Sequence, residues 1–223
     1  MVALVPGFTQ AARSWETVLE VLPAEIDATA LDVPSHLDFV ATALALGDAG
    51  GASTYVGYSM GGRLCLRLAL ERPDLVERLV LVSASPGIAD PGARAARRES
   101  DERLAREIER DGADAFLERW LAQPLFASLP PEAAAVDARV RDPVVLTHGL
   151  RSLGQGAQEP LWDRLGELAM PVTLVAGALD EKYVELAMAM SDRIPDANTS
   201  VFGGAGHAVH LEQPFAIVHV LTT

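Results

Sequence analysis

A serine flanked by glycines lies where a β-prone segment meets a helical one, in the stretch VGYSMGGR. Ser59 is the centre of a G-x-S-x-G pattern that it forms with Gly57 and Gly61. Glycine adopts backbone angles that strain other residues, so such a junction can make a sharp strand-to-helix turn. A serine on that turn exposes its hydroxyl, and the next N–H is free to bind an oxyanion. Because five-residue patterns also occur by chance, the chemistry depends on finding partners for Ser59.

A reactive serine needs a general base, and the base needs an acidic group that holds its orientation. In open parallel sheets such groups lie just beyond the carboxyl ends of the strands. Asp180 follows the apolar run VTLVAGAL, and His207 follows SVFGGAG. The chain order Ser59, Asp180, His207 is that of a nucleophile-elbow triad. The alternatives are that Asp180 only caps the next helix and that His207 is an ordinary loop histidine.

The loop after the first predicted strand, Pro6-Gly7-Phe8-Thr9, is expected to supply half of an oxyanion hole. The predicted donors are the backbone N–H groups of Phe8 and Met60. Two amides aimed at one oxygen could each contribute about 3 kcal/mol to the stabilisation of a developing negative charge.

Short apolar runs alternate with helical segments, which predicts an α/β fold with a mostly parallel sheet covered on both faces. The predicted strands are 2–5, 28–33, 54–57, 76–83, 172–175 and 199–202. The predicted helices are 14–22, 37–46, 61–71, 181–194 and 213–221. Residues 88–162 show only amphipathic helical stretches and loops, so we expect one domain, 1–223, with a helical lid at about 88–162.

The composition limits the classes of partner. The chain has 223 residues, 49% of them hydrophobic, and a formal net charge of −13. This acidic balance argues against nucleic-acid and anionic-membrane surfaces, and an anionic substrate would need a local cluster of arginines. The single cysteine, Cys65, excludes an internal disulfide and a cysteine-based zinc site. No signal peptide or membrane span is recognised, so a cytoplasmic location is expected.

Beyond these features, the sequence resembles the α/β-hydrolase superfamily over nearly its whole length. Within it, the chain resembles the 2-succinyl-6-hydroxy-2,4-cyclohexadiene-1-carboxylate synthases of menaquinone synthesis. The segments that carry the resemblance are PGFTQAARSW, GYSMGGRLCLRLAL, LVLVSASPGI, AGALDEKY and GAGHAVHLEQP. The last three are more specific than G-x-S-x-G.

The resemblance implies an α/β-hydrolase fold and an elimination of pyruvate from an enolpyruvyl-cyclohexene carboxylate. Ser59, activated by His207 and Asp180, would remove a proton α to a ketone, and the Phe8 and Met60 amides would hold the enolate oxygen. The reaction implied needs no metal and no organic cofactor, and its substrate is a small polyanion.

Arg63 lies one helical turn beyond Ser59, where its planar fork suits a carboxylate, and in the resemblance it matches a substrate-binding arginine. The resemblance implies further substrate contacts by Arg97, Trp120 and Arg141 of the lid, and Tyr58 either contacts substrate or packs the elbow. The alternative for the lid arginines is a solvated helix face.

Two departures from the family pattern are visible. Pro6 stands where many members have histidine, and the loop at 33–38 is compressed, which is expected to change one wall of the pocket. Two other interpretations stay open: a serine hydrolase of the same fold, acting on esters or carbon–carbon bonds, and a catalytically silent binding protein. The complete set of Ser59, Asp180 and His207 argues against the silent member, because binding alone does not need all three.

Overall fold

Six short strands form one entirely parallel sheet in the computed structural model, which describes all residues, 1–223. The strands are β1 (Val2–Val5), β2 (Ala28–Ala30), β3 (Ser53–Tyr58), β4 (Val76–Val82), β5 (Val172–Gly177) and β6 (Ala197–Phe202). Their order across the sheet is β2-β1-β3-β4-β5-β6. The sheet therefore confirms the predicted α/β class, and all the strands end at the same edge.

Nine helices connect or cover the strands. They are α1 (Glu16–Leu19), α2 (Phe39–Gly50), α3 (Met60–Glu71), α4 (Pro91–Asp111), α5 (Ala113–Leu121), α6 (Pro143–Leu153), α7 (Glu181–Ser191), α8 (Val209–Glu212) and α9 (Pro214–Thr222). None of these helices combines the length and the apolar character needed to cross a membrane.

Successive strand residues point to opposite faces of the sheet, and both faces are covered. Ala3 and Val5 pack with α2, α3 and α7 in one apolar cluster, whereas Val2 and Leu4 pack with α1, α8 and α9 in another. This arrangement explains why β1, β4 and β5 contain largely continuous apolar runs, whereas the edge strand β6 is only partly buried.

The segment between β4 and β5 contains α4, α5 and α6 and no strand. These helices enclose an apolar cluster of their own, which includes Ile108, Phe116 and Leu146, and Phe8 packs against it. The cluster places the helices over the carboxyl ends of β1 and β3, where the predicted functional groups lie.

Several predicted elements differ from the observed ones. α2 covers Phe39–Gly50, where 37–46 was predicted, and α7 ends at Ser191, where 194 was predicted. The strand predicted at 28–33 ends at Ala30, because its only neighbour, β1, ends at Val5. The last bond joins the N–H of Leu31 to the carbonyl of Leu4. The helix predicted at 14–22 is a 3₁₀ turn at Ala12–Trp15 followed by the single turn α1.

Candidate active site

Ser59 is held in a strained backbone conformation between β3 and α3. Its φ is 50° and its ψ is −106°, in a region that non-glycine residues rarely occupy. The glycines on either side permit the turn: a Cβ on Gly57 would lie 2.5 Å from the Cα of Gly62, and one on Gly61 would overlap the carbonyl oxygens of Val5 and Pro6. The close packing of α3 against β1 and β3 thus presents the serine hydroxyl at the sheet edge.

We expect Gly61→Ala to destabilise the fold strongly, because the added methyl group would meet rigid backbone. A loss of about 3 kcal/mol or more in the free energy of unfolding is expected, measured by urea denaturation. Gly203→Ala is the matched control, because nothing lies within 4 Å of its added Cβ. Equal stability of the two variants would contradict this account of the elbow.

Asp180, His207 and Ser59 form a continuous hydrogen-bonded chain. His207 Nδ1 lies 2.6 Å from Asp180 Oδ2, and His207 Nε2 lies 3.1 Å from Ser59 Oγ. With Nδ1–H donating to the carboxylate, Nε2 is left as the acceptor for the serine hydroxyl. Ser59 follows β3, Asp180 follows β5 at the start of α7, and His207 follows β6. The carboxyl ends of these strands share one edge of the sheet and so bring the three groups together, although β4 lies between β3 and β5. This geometry can move a proton from Ser59 to His207.

The N–H groups of Phe8 and Met60 are free to face a ligand oxygen. The Phe8 N–H has no acceptor within the chain, and Met60 is the first residue of α3, where an N–H has no partner inside the helix. The loop is fixed by Gln10, whose side-chain oxygen accepts from the Gly7 N–H and the Ser14 hydroxyl. The helix dipole of α3 adds positive potential at the same place.

A cavity of about 260 Å³ opens over Ser59 and His207. Three arginines line it, Arg63, Arg97 and Arg139, and no aspartate or glutamate does. In a chain of net charge −13, this lining concentrates positive charge where a ligand would sit. The cavity therefore suits an anion.

Arg63 is buried without a carboxylate partner. Its guanidinium donates to Gln158 Oε1 at 2.8 Å and to the Leu153 carbonyl at 2.7 Å, and only 5% of the residue is exposed. Burial lowers its pKa to about 10, because desolvation disfavours the charged form. A buried cation without a counter-ion is strongly stabilised when a ligand carboxylate pairs with it.

The other predicted binding residues divide into those that reach the cavity and one that does not. Arg97, Trp120 and Tyr58 line it, and the Trp120 indole N–H is buried without an acceptor, so it is available as a donor. Arg141 lies outside the lining: its side chain is 49% exposed and it pairs with Asp114.

The sequence of this chain matches a model of the Alpha/beta hydrolase family over residues 2–220. The chain belongs to the alpha/beta hydrolase family. This alpha/beta hydrolase is 33% identical to a putative 2-succinyl-6-hydroxy-2,4-cyclohexadiene-1-carboxylate synthase of Bacillus subtilis, over 96% of this chain and 85% of the relative. It is 29% identical to the Salmonella agona protein named as the same synthase, over 96% of this chain and 89% of that protein.

Among solved structures, MenH from S. aureus superposes on this alpha/beta hydrolase with a TM-score of 0.92 at 27% identity, covering 99% of this chain and 91% of that one. A thermophilic esterase from Thermogutta terrifontis superposes with a TM-score of 0.81 at 22% identity, covering 99% and 87%. The second likeness concerns the fold alone.

Arg139 is the lining arginine that the sequence analysis did not single out, and Gln155 and Tyr183 are lining residues that it also missed. The Arg139 guanidinium donates to the Thr9 hydroxyl and to the Ala134 carbonyl, and an isolated antiparallel bridge joins its backbone to Gln10. The bridge between two irregular segments turns Arg139 inward. No sequence pattern marks such a bridge, so nothing in the sequence singled out Arg139.

His210 lies behind the cavity in the alpha/beta hydrolase, fully buried between the Tyr58 and Trp15 rings at 4.2 and 4.5 Å. Neither ring nitrogen has a hydrogen-bond partner. Burial holds the pKa of His210 well below its usual value, and the positive charge of Arg139 and a protonated His207 act in the same direction. The residue is neutral in the folded chain.

We expect His210→Phe to flatten the pH dependence of stability below neutrality. Because the folded-state pKa is depressed, the unfolded chain binds the proton first as the pH falls through about 6.5, and stability is lost below that value at up to about 1.4 kcal/mol per pH unit. Urea denaturation at pH 7, 6 and 5 measures this slope. His36→Phe is the control: His36 is exposed, so this variant should keep the wild-type slope of stability against pH. Equal slopes in His210→Phe and wild type would contradict the interpretation.

No group of three or more histidine, cysteine, aspartate and glutamate side chains is arranged to hold a metal ion. Cys65 is a free, buried thiol on α3, and burial raises its pKa above the usual range.

Proposed function

We propose that this chain is a lyase that eliminates pyruvate from 2-succinyl-5-enolpyruvyl-6-hydroxy-3-cyclohexene-1-carboxylate and leaves 2-succinyl-6-hydroxy-2,4-cyclohexadiene-1-carboxylate. The observation that carries the proposal is the cavity, in which three arginines and no carboxylate surround Ser59 and His207. The names of the relatives from Bacillus subtilis and Salmonella agona support it. A substrate with several carboxylates fits this charge distribution, and a neutral ester makes no use of it.

In the proposed reaction, Ser59 Oγ takes the proton α to the succinyl ketone while its own proton passes to His207 Nε2. Asp180 orients the imidazole and stabilises the imidazolium that forms. The electron pair of the broken C–H bond forms the carbon–carbon double bond of the enolate, and the carbonyl π pair moves to the ketone oxygen. The Phe8 and Met60 N–H groups stabilise the enolate.

Collapse of that extended enolate then breaks the bond between the ring carbon and the enolpyruvyl oxygen. The electron pair leaves with the oxygen. Enolpyruvate then takes one proton at carbon to become pyruvate, and His207 gives up the one proton that it gained, so that the enzyme returns to its starting state. The substrate's carboxylates are bound by Arg63, Arg97 and Arg139, with the Trp120 indole N–H as a further donor and Tyr58 forming the wall beside His207. The step uses no metal and no organic cofactor.

A serine hydrolase is the second candidate, because the arrangement of Ser59, His207 and the two amides would equally support an acyl-enzyme. In that case Ser59 would attack a carbonyl carbon, and the arginines would be incidental to turnover. The two candidates differ in the substrate charge that they require.

The test is pyruvate release from the enolpyruvyl-cyclohexene substrate, prepared fresh and followed by coupled oxidation of NADH. A reaction without enzyme corrects for spontaneous decay, and a panel of neutral esters is run beside it. Release well above the uncatalysed rate with no ester hydrolysis is expected. Ester hydrolysis without pyruvate release would overturn the lyase in favour of the hydrolase.

A further inference from the structure

Tyr183 lines the cavity but has no part in the proposed proton transfer. It lies in the first turn of α7, three residues after Asp180, and 6% of it is exposed. Its ring meets the His207 ring edge-on, with centroids 4.6 Å apart. The ring therefore supports His207, which leaves the role of the hydroxyl to be explained.

Two hydrogen bonds fix the direction of that hydroxyl. Arg97 Nη1 donates to Gln155 Oε1 at 3.3 Å, and Gln155 Nε2 donates to Tyr183 Oη at 3.1 Å. A guanidinium can only donate, so Arg97 requires the amide oxygen on its side and the amide NH₂ on the tyrosine side. Arg97 is itself anchored by Asp101, at 2.7 Å. The Tyr183 oxygen is thus committed as an acceptor from Gln155.

The Tyr183 proton must then point elsewhere, and no acceptor within the chain receives it. Burial raises the pKa of Tyr183, so the phenol keeps that proton and remains a donor. The charges of Arg63 and Arg97 both act on the phenol, and both residues line the same cavity. One neutral donor and two cations therefore converge on one region.

We propose that Tyr183 is a substrate-binding residue whose hydroxyl donates to a carboxylate oxygen held by Arg63 and Arg97, with Gln155 as the positioning residue that aims it. The inference rests on the proposed function, in which that carboxylate belongs to the polyanionic substrate. A carboxylate fits because it offers about four acceptor sites to the donors that meet there. Asp101 offsets part of the charge of Arg97 and so weakens its attraction for a carboxylate. A hydrogen bond from the neutral Tyr183 hydroxyl then contributes more to binding of that carboxylate.

Tyr183→Phe tests the proposal, because it keeps the ring against His207 and removes only the hydroxyl. We expect KM for the enolpyruvyl substrate to rise about 10- to 100-fold, the usual effect of losing a hydrogen bond to a charged group, while kcat stays within about threefold. Tyr55→Phe is the matched control: its hydroxyl donates to the Gly51 carbonyl away from the cavity, and its KM should equal that of wild type.

A binding measurement separates this inference from the proposed reaction. The probe is cis-4-cyclohexene-1,2-dicarboxylate, with its dimethyl ester as the uncharged counterpart, and ligand-observed NMR gives both affinities. Tyr183→Phe should weaken binding of the dianion and leave the ester unchanged. If wild type releases no pyruvate, the proposed function fails, and a dianion affinity that falls in Tyr183→Phe but not in Tyr55→Phe still supports the role of Tyr183.

Two results would overturn the inference: an unchanged KM and dianion affinity in Tyr183→Phe, or a fall in kcat with KM unchanged, which would place the hydroxyl at the reacting atoms. Gln155→Leu is the second variant if Tyr183→Phe does not fold. It leaves Tyr183 in place and Arg97 anchored by Asp101, and should raise KM severalfold by releasing the hydroxyl. Where Tyr183→Phe does fold, Gln155→Leu should add little to it, and full additivity would contradict the positioning role.

Discussion

Replacing Ser59 with alanine is expected to lower kcat for pyruvate release by about 10³-fold, with little change in KM. Ser59 Oγ lies 3.1 Å from His207 Nε2, and the arginines that line the cavity are untouched by the change. A positioned acid–base group contributes about 10²- to 10⁴-fold to a proton transfer. Steady-state kinetics, corrected for spontaneous decay of the substrate, measure the effect.

His207→Ala is the companion variant for Ser59→Ala. It should cost about as much as Ser59→Ala, and the double variant should be hardly worse than either, because the two side chains act as one unit. If Ser59→Ala keeps more than a tenth of the wild-type kcat while His207→Ala does not, His207 removes the substrate proton directly and the role given to Ser59 is wrong.

Replacing Arg63 with methionine is expected to raise KM about 30-fold or more. The guanidinium is buried beside the reacting groups with no carboxylate of its own, and truncating one partner of a buried, hydrogen-bonded charge pair costs about 2–5 kcal/mol. Arg63→Lys should fall between methionine and wild type, since an ammonium keeps the charge but loses the planar fork.

The control for Arg63 is Arg67→Met, one turn further along α3. Arg67 is equally buried, but it pairs with Glu71 and lies outside the cavity, so its KM should be that of wild type. Unfolding must be measured with both variants, because Arg63→Met leaves the acceptors Gln158 and Leu153 without their donor. A stable Arg63→Met with wild-type KM would remove the main support for an anionic substrate and favour the hydrolase.

The hydrogen-bonded arrangement of Ser59, His207 and Asp180 could be predicted from the sequence, because all parallel strands of a sheet end at the same edge. Asp180 and His207 each follow a recognisable apolar strand, and the strands end at one edge, so chain order and strand position together place both beside Ser59. The edge strand β2 was predicted too long, since its length depends on where β1 ends and not on its own residues.

The residues that line the cavity could not be predicted from strand positions, as Arg139 and Arg141 show. Both lie in an irregular stretch before α6, and only the pairing of Arg139 with Gln10 turns its side chain inward, whereas Arg141 meets Asp114 on the outside. Contacts between two loops have no period in the sequence, so no local pattern separates these two arginines. The Tyr183 hydroxyl depends in the same way on a glutamine 28 residues earlier.

The apolar cluster of α4, α5 and α6 is separate from the two clusters that cover the sheet, so mutations in these helices need not affect the stability of the sheet. The free energy that holds the sheet comes from the clusters on its two faces, whereas the walls that select a ligand are largely built on the third cluster. Variation in the inserted helices can therefore change which ligand is accepted without eroding the scaffold that aligns Ser59 with His207. Phe8 links the two parts, since it packs against the inserted helices and its backbone N–H is a proposed oxyanion donor. Substitutions that adapt the cavity to a new substrate are therefore best tolerated at positions of the inserted helices that do not contact Phe8.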